Sequence, residues 1–182
     1  KRSSAASDVY KRQGKHDAAI EKLKKTLEIE PDHPQATFLL SAEHAEIGLY
    51  DRAIEGMQRT LKLMPELHVA RFQLGLLFMT QGDVKNAENT WADLKSLGAK
   101  NPMYLFKEAL LTANQGNTTD AIAQLQEAIE QEHENEDLKR DMQRMLGNLM
   151  ERSQNESQVS TDENEDQTDI SSLVASRYKD IN

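Results

Sequence analysis

The sequence predicts an all-α fold, a solenoid of helix-turn-helix repeats. Three observations point to it. Gly14, Gly48, Gly82 and Gly116 stand 34 residues apart. An alanine follows each glycine by five residues, at Ala19, Ala53, Ala87 and Ala121. Phe38, Phe72 and Phe106 recur at the same interval. A fixed period of about 34 residues is the mark of stacked helical hairpins, each too small to bury its apolar face alone. Such arrays present an extended concave surface for binding.

Each period reads as two helices around a Gly-centred turn. A partial first repeat occupies residues 14–33, and three further repeats occupy 34–67, 68–101 and 102–136. In the third, His68 to Thr80 predicts the first helix, Gln81-Gly82-Asp83 the turn, and Val84 to Leu97 the second helix. Glycine adopts the turn conformation that a side-chain carbon resists. Asp51 and Asp83 are expected to cap the helices that follow. The alanines are small enough to let paired helices approach closely.

Beyond the fourth repeat, residues 137–152 carry Leu138, Met142, Met145, Leu146, Leu149 and Met150 on one helical stripe. A solenoid needs a terminal helix with one polar face, and this segment is expected to be that cap. The alternative is a Met-rich partner site. Residues 153–182 form an acidic tail. Its first part holds Asp162, Glu163, Glu165, Asp166 and Asp169, with too little apolar surface to offset ordering, and is expected to be disordered. Ile170, Leu173, Val174 and Tyr178 then recur at helical spacing and mark a short helix over 170–179. It either frays as a terminus or docks, on a partner or in the chain's own groove.

The pattern resembles the tetratricopeptide repeat family. An apolar–small pair in the first helix appears as Leu40-Ser41 and Leu74-Gly75, with Glu108-Ala109 in the fourth period. The aromatic three residues on is Tyr10 or Phe78, replaced elsewhere by His44 and Thr112. A bulky apolar residue four after each repeat alanine is Leu23, Met57, Trp91 or Leu125, and the closing proline is Pro31 or Pro65. The match runs from Gly14 to His133. Arg71, Glu88 and Glu108 stand where the family prefers apolar side chains. The resemblance implies a right-handed superhelix whose first helices line the concave groove.

Residues 1–13 are set apart. Ser3 to Gln13 resembles a translated adapter used in preparing sequencing libraries, and such a segment is excluded from fold reasoning. On that reading the native chain begins near Gly14, its first repeat lacks a first helix, and further sequence lies upstream. The competing reading is a genuine first helix with Tyr10 in repeat register.

Charge and composition narrow the partners. The net charge is −9, and removing Lys1–Gln13 takes away four basic residues and one acidic, leaving −12. That disfavours nucleic acid, whose binding rests on neutralising phosphates. Lys22, Lys24 and Lys25 cluster, as an exposed helix face would. No stretch approaches the roughly 18 apolar residues that span a membrane. With no cysteine, disulfides and thiolate metal sites are excluded, which is compatible with a cytoplasmic location.

The resemblance turns Phe38, Phe72 and Phe106 toward the groove. Ala42, Leu76 and Leu110 follow one turn later, Leu39, Gln73 and Lys107 lie beside the rings, and Met79 and Asn114 lie further along. The candidate surface is therefore a row of three aromatics with aliphatic neighbours and few charges. It suits an apolar or aromatic segment of a protein or peptide. The bland alternative is that each ring only packs between hairpins. Some relatives grip a terminal carboxylate with Lys, Arg and Asn from these helices; only Lys107 and Asn114 match here, so such a clamp is not expected.

No catalytic constellation stands out. His16, His33, His44, His68 and His133 form no i, i+4 zinc pair. His133 and Glu134 with Glu136 and Asp137 suit a solvated connection better than a metal site. Asn117-Thr118-Thr119 and Asn155-Glu156-Ser157 match the glycosylation sequon, which is common by chance. The expectation is a scaffold or adaptor, without enzyme activity or cofactor. Two rival readings are a chaperone for secreted or assembling proteins, as similar acidic chains are in bacteria, and the repeat region of a larger enzyme.

Overall fold

A computed structural model of the chain describes residues 2–132, 134–158 and 170–179, with side chains described for 14–132, 134–155 and 170–175. The fold is all-α. In order come α1 (Arg2–Ile29), α2 (Pro34–Glu46), α3 (Tyr50–Leu63), α4 (His68–Thr80), α5 (Val84–Trp91) with a 3-10 continuation (Ala92–Leu97), α6 (Pro102–Asn114), α7 (Thr118–Gln131), α8 (Glu136–Gln158) and α9 (Ser171–Lys179).

Turn chemistry explains most of these boundaries. Gly82 has φ 73°, and Gly48 and Gly116 have φ 77° and 86°, the left-handed region open to glycine. In each, the glycine N–H donates to the carbonyl three residues back, from Gly48 to Ala45, Gly82 to Met79 and Gly116 to Ala113, all at 3.0 Å. Helix starts are equally specified. Pro34 and Pro102 open α2 and α6, where a missing N–H costs nothing. His33 caps α2 through Nδ1, which accepts from the Ala36 amide. Asn101 caps α6 by accepting from Met103 and Tyr104.

Asp83 caps α5 as expected, accepting from the Asn86 amide at 3.1 Å. Asp51 does not cap. The N-cap directly follows the turn glycine in both periods, so Leu49 holds the place of Asp83. Asp51 falls two residues later, inside the first turn of α3, where its charge faces the positive helix end.

The first period also departs from expectation. Gly14 makes no turn; it lies inside the uninterrupted helix α1. The residues before it offer only Val9 and Tyr10 as large apolar side chains, too few to drive a hairpin. The later part of α1 packs on α2 as a second helix of a repeat would. Ile20 is buried, and His16 Nδ1 lies 2.6 Å from Glu43 Oε2 on α2.

The chain divides into two compact units, residues up to Phe78 with those from Ala175, and Met79–Val174. In the first, α2 packs on both α1 and α3. Its core gathers Ala45, Ala53, Met57, Ala70, Leu74 and Leu77. Arg59 joins α3 to the preceding connection, donating to the Pro31 carbonyl at 2.8 Å and to Asp32 at 3.0 Å. Arg71, in a position the family fills with an apolar residue, donates to the Pro65 carbonyl at 2.9 Å.

In the second unit α7 packs on α6 and on α8. The buried residues keep helical spacing: Ala87, Trp91 and Leu94 along α5 and its continuation, and Ala121, Leu125 and Ala128 along α7. On α8, Leu138, Met142, Met145 and Leu149 are buried and Met150 is exposed. That helix runs through Gln158, so Ser153–Gln158 is helical rather than disordered. Residues 159–169 and His133 lie outside the described residues.

Candidate partner-binding surface

The candidate residues sit on the first helices of successive periods, and each unit places its share differently. In the first unit, Phe38 is half-buried against the core cluster, with Ala42 beside it. Its neighbour Leu39 keeps 49% of its surface exposed. On α4, Phe72 and Leu76 are each only 2% exposed, and Gln73 is half-buried between them.

The second unit buries its share more completely. Met79, Phe106 and Leu110 are 1%, 3% and 1% exposed. Lys107, between the last two, is also buried, and Asn114 is half-buried at the end of α6. Burial of a lysine requires a partner for its charge. Two groups supply it: the Glu108 carboxylate, which accepts from Nζ, and the Tyr104 ring, whose centroid lies 4.4 Å from Nζ. The Tyr104 hydroxyl hydrogen-bonds to Glu108, and this bond, with burial and the Glu108 charge, raises the phenol above its ordinary range. Glu108 thus joins Tyr104 and Lys107 in one polar cluster, which accounts for a carboxylate at a position where the family prefers an apolar side chain. The Lys107 ammonium is engaged within that cluster, not offered alone to a ligand carboxylate.

Sequence reasoning missed two contributors. The His16–Glu43 contact joins positions 27 residues apart on two helices, which no local pattern reveals. Glu132 is the other. Buried after α7, its Oε1 accepts from the amides of Glu134 and Asn135 at 2.9 and 2.8 Å, and Asn135 in turn accepts from the Leu138 amide. Together they shape the entry to α8. An acidic residue two or three positions before an Asn N-cap was the available signal.

Among the described residues no helix is long and apolar enough to cross a membrane, and no group of three or more His, Asp and Glu side chains is placed to hold a metal ion.

The family model of the tetratricopeptide repeat matches residues 4–68. Among solved structures, the chain is similar to one in the APC/C hetero-tetramer Cut9–Hcn1, at 20% identity and a TM-score of 0.67 over 79% of this chain and 28% of that one. It is similar to MamA (41-end) from Desulfovibrio magneticus RS-1, at 17% identity and a TM-score of 0.56, over 93% and 87% of the two chains. A further MamA structure shares 18% identity at a TM-score of 0.54, over 86% and 93%. Curated proteins give no match. The chain spans 28% of the length of its Cut9–Hcn1 counterpart, and at these identities the likeness concerns the fold. The family model over residues 4–68 and the shared fold support a tetratricopeptide repeat assignment. Proteins of this fold are typically scaffolds for protein–protein interaction.

Proposed function

We propose that the chain is a non-enzymatic scaffold or adaptor that binds an apolar or aromatic segment of a partner protein on the first-helix surface of its repeats. One observation carries the reading. Phe38, Phe72 and Phe106 recur in identical register on α2, α4 and α6, each followed one turn later by Ala42, Leu76 or Leu110. Repetition of a large ring at the position the family turns toward its groove suits a ligand that runs along several repeats. Leu39, Gln73, Met79, Lys107 and Asn114 complete the surface. Aromatic anchors in concave sites are frequent centres of binding energy. The low charge of the surface, against a net −9 for the chain, favours an apolar ligand over a nucleic acid.

The test is a pull-down from bacterial lysate with the full chain and with Phe38→Ala/Phe72→Ala/Phe106→Ala, both shown to be folded by circular dichroism. Partners captured by the first and lost by the second support the reading. A triple variant that stays folded and keeps every partner overturns it.

A further inference from the structure

The second helix of each period has one face in common, and on α1 that face is not fully covered. On α3 it consists of Ala53, Met57 and Thr60, all 0% exposed, and the corresponding residues of the two later periods are also 0% exposed. Thirty-four residues before the α3 set stand Ala19, Leu23 and Thr26 on α1, and all three are partly exposed. The two faces are built alike. The Thr26 hydroxyl donates to the Lys22 carbonyl at 3.1 Å, as the Thr60 hydroxyl donates to the Gly56 carbonyl at 2.9 Å, so neither threonine needs a polar partner on that face.

The difference lies in the cover. On α3 it comes from α2, whose Ala45 joins Ala53 and Met57 in one core cluster. α1 also packs on α2, but through Ile20 and the His16–Glu43 contact, and Ile20 lies about 100° round the helix from Ala19. α1 runs without a break through Gly14, so the residues before it extend the helix and do not fold back over Leu23. Charge marks what the open face takes. Lys15 and Lys22 are exposed within about 60° of Ala19, whereas the exposed Asp17, Glu21 and Glu28 lie about 160–200° away. Lys25, also exposed, holds the position of Arg59 one period later. Arg59 donates to Asp32 at 3.0 Å and to the Pro31 carbonyl at 2.8 Å, in the connection that leads into the covering helix.

We propose that the Ala19–Leu23–Thr26 face of α1 docks an acidic amphipathic helix of a partner protein, which covers α1 as α2 covers α3. A helical hairpin buries its apolar face only against a neighbour, and the pairing inside the chain defines the neighbour's chemistry. Its contact face carries an apolar–small pair, as Leu40-Ser41 does on α2, because two helix backbones approach closely there. A carboxylate just before its first turn meets Lys25, as Asp32 meets Arg59. Further acidic residues along its edge meet Lys15 and Lys22, and the pairing weakens with salt. This surface lies on a second helix and is distinct from the Phe38, Phe72 and Phe106 surface of the first helices.

The test uses the full chain and its Leu23→Asp, Lys25→Glu and Arg59→Glu variants, each shown to be folded by circular dichroism. The probe is a fluorescent peptide of residues 30–46, which holds α2 and the connection before it, with Glu30, Asp32, Glu43 and Glu46 and no Lys or Arg. The unaltered chain should bind it. Leu23→Asp should weaken binding about tenfold or more, and the exposed Lys25→Glu about threefold. A peptide with Asp32→Lys should recover binding to the Lys25→Glu chain and lose it to the unaltered one. No binding at peptide concentrations up to about 1 mM overturns the proposal, as does binding indifferent to both Leu23 and Lys25. Binding sensitive to Arg59→Glu but not to Lys25→Glu also overturns it, since the peptide then exchanges with α2 on α3. Self-association of the full chain in sedimentation, abolished by Leu23→Asp, gives the face to a second copy and overturns a foreign partner. None of these results decides the first-helix surface, which stands or falls on the pull-down with the triple Phe variant.

Discussion

The side chain of Ser41 occupies the space that a Cβ on Gly56 would fill, with Ser41 Cβ 3.0 Å and Cα 3.7 Å from that point. Ser41 is buried on α2, and its hydroxyl donates to the Thr37 carbonyl at 2.6 Å. The small residue of the family pair Leu40-Ser41 is therefore small for a definite reason: α3 presents bare backbone to it. Two effects oppose each other in Gly56→Ala. Replacing glycine in a helix stabilises by about 0.5–1 kcal/mol, while overpacking costs about 1–3 kcal/mol. The clash should win, with a net loss of about 1–2 kcal/mol in urea unfolding. Ser41→Ala removes the oxygen in the way, so the double variant should lose less than the two singles combined. Strict additivity would show that the two side chains do not meet.

Gly14 and Gly82 hold the same place in the 34-residue period but not in the fold. Gly82 has φ 73°, and nothing lies within 4 Å of the point an added Cβ would take, so Gly82→Ala carries backbone strain alone, about 1 kcal/mol. Gly14 is helical and equally unobstructed, so Gly14→Ala should stabilise by up to about 1 kcal/mol. Thermal melting should move in opposite directions for the two substitutions. A lowered Tm for both would mean that Gly14 turns the chain after all.

That contrast shows what the sequence could convey. The third period was legible to the residue at α4 and at the start of α5, because Gly82, Asp83 and the apolar spacing all agree. Periodicity alone misplaced Gly14, since a turn needs two apolar faces to fold together and residues 1–13 supply little for one of them. It also misplaced the end of α8, because Ser153–Gln158 extends a helix without adding to its apolar stripe. Of the candidate surface, the register of Phe38, Phe72 and Phe106 was readable. Their unequal burial was not, because it depends on what covers each ring. Lys107 was visible as a lone cation, while its Tyr104 and Glu108 partners emerge only from side-chain geometry.

His44 gives the fold a pH dependence of known sign. It is buried on α2, where the resembling repeats carry an aromatic, and its pKa lies below the ordinary histidine value of 6.5, first through burial and then through the nearby Arg52 and Lys24 charges. The unfolded chain therefore takes up a proton at a higher pH than the folded one does. The resulting stability is present above the unfolded value and declines as pH falls through it. Urea midpoints should drop between about pH 7.5 and about pH 5.5, and His44→Phe should flatten that slope. An unchanged slope in a folded His44→Phe variant would remove His44 as the source.

Glu132 makes the entry to α8 depend on one carboxylate. Its Oε1 accepts from two consecutive amides, those of Glu134 and Asn135, while Asn135 caps the helix through Leu138. Glu134 and Asn135 are exposed, so water can replace part of what Glu132 supplies, and the loss on Glu132→Ala should be about 1 kcal/mol rather than the larger penalty of orphaned buried amides. Glu132→Gln keeps an acceptor oxygen and should cost less than Glu132→Ala. Hydrogen exchange at the first turn of α8 provides the local readout. It should quicken in Glu132→Ala and remain near the unaltered rate in Glu132→Gln, while α3 amides stay unchanged in both. Equal exchange in the two variants would show that the carboxylate's charge, not its acceptor geometry, holds the connection.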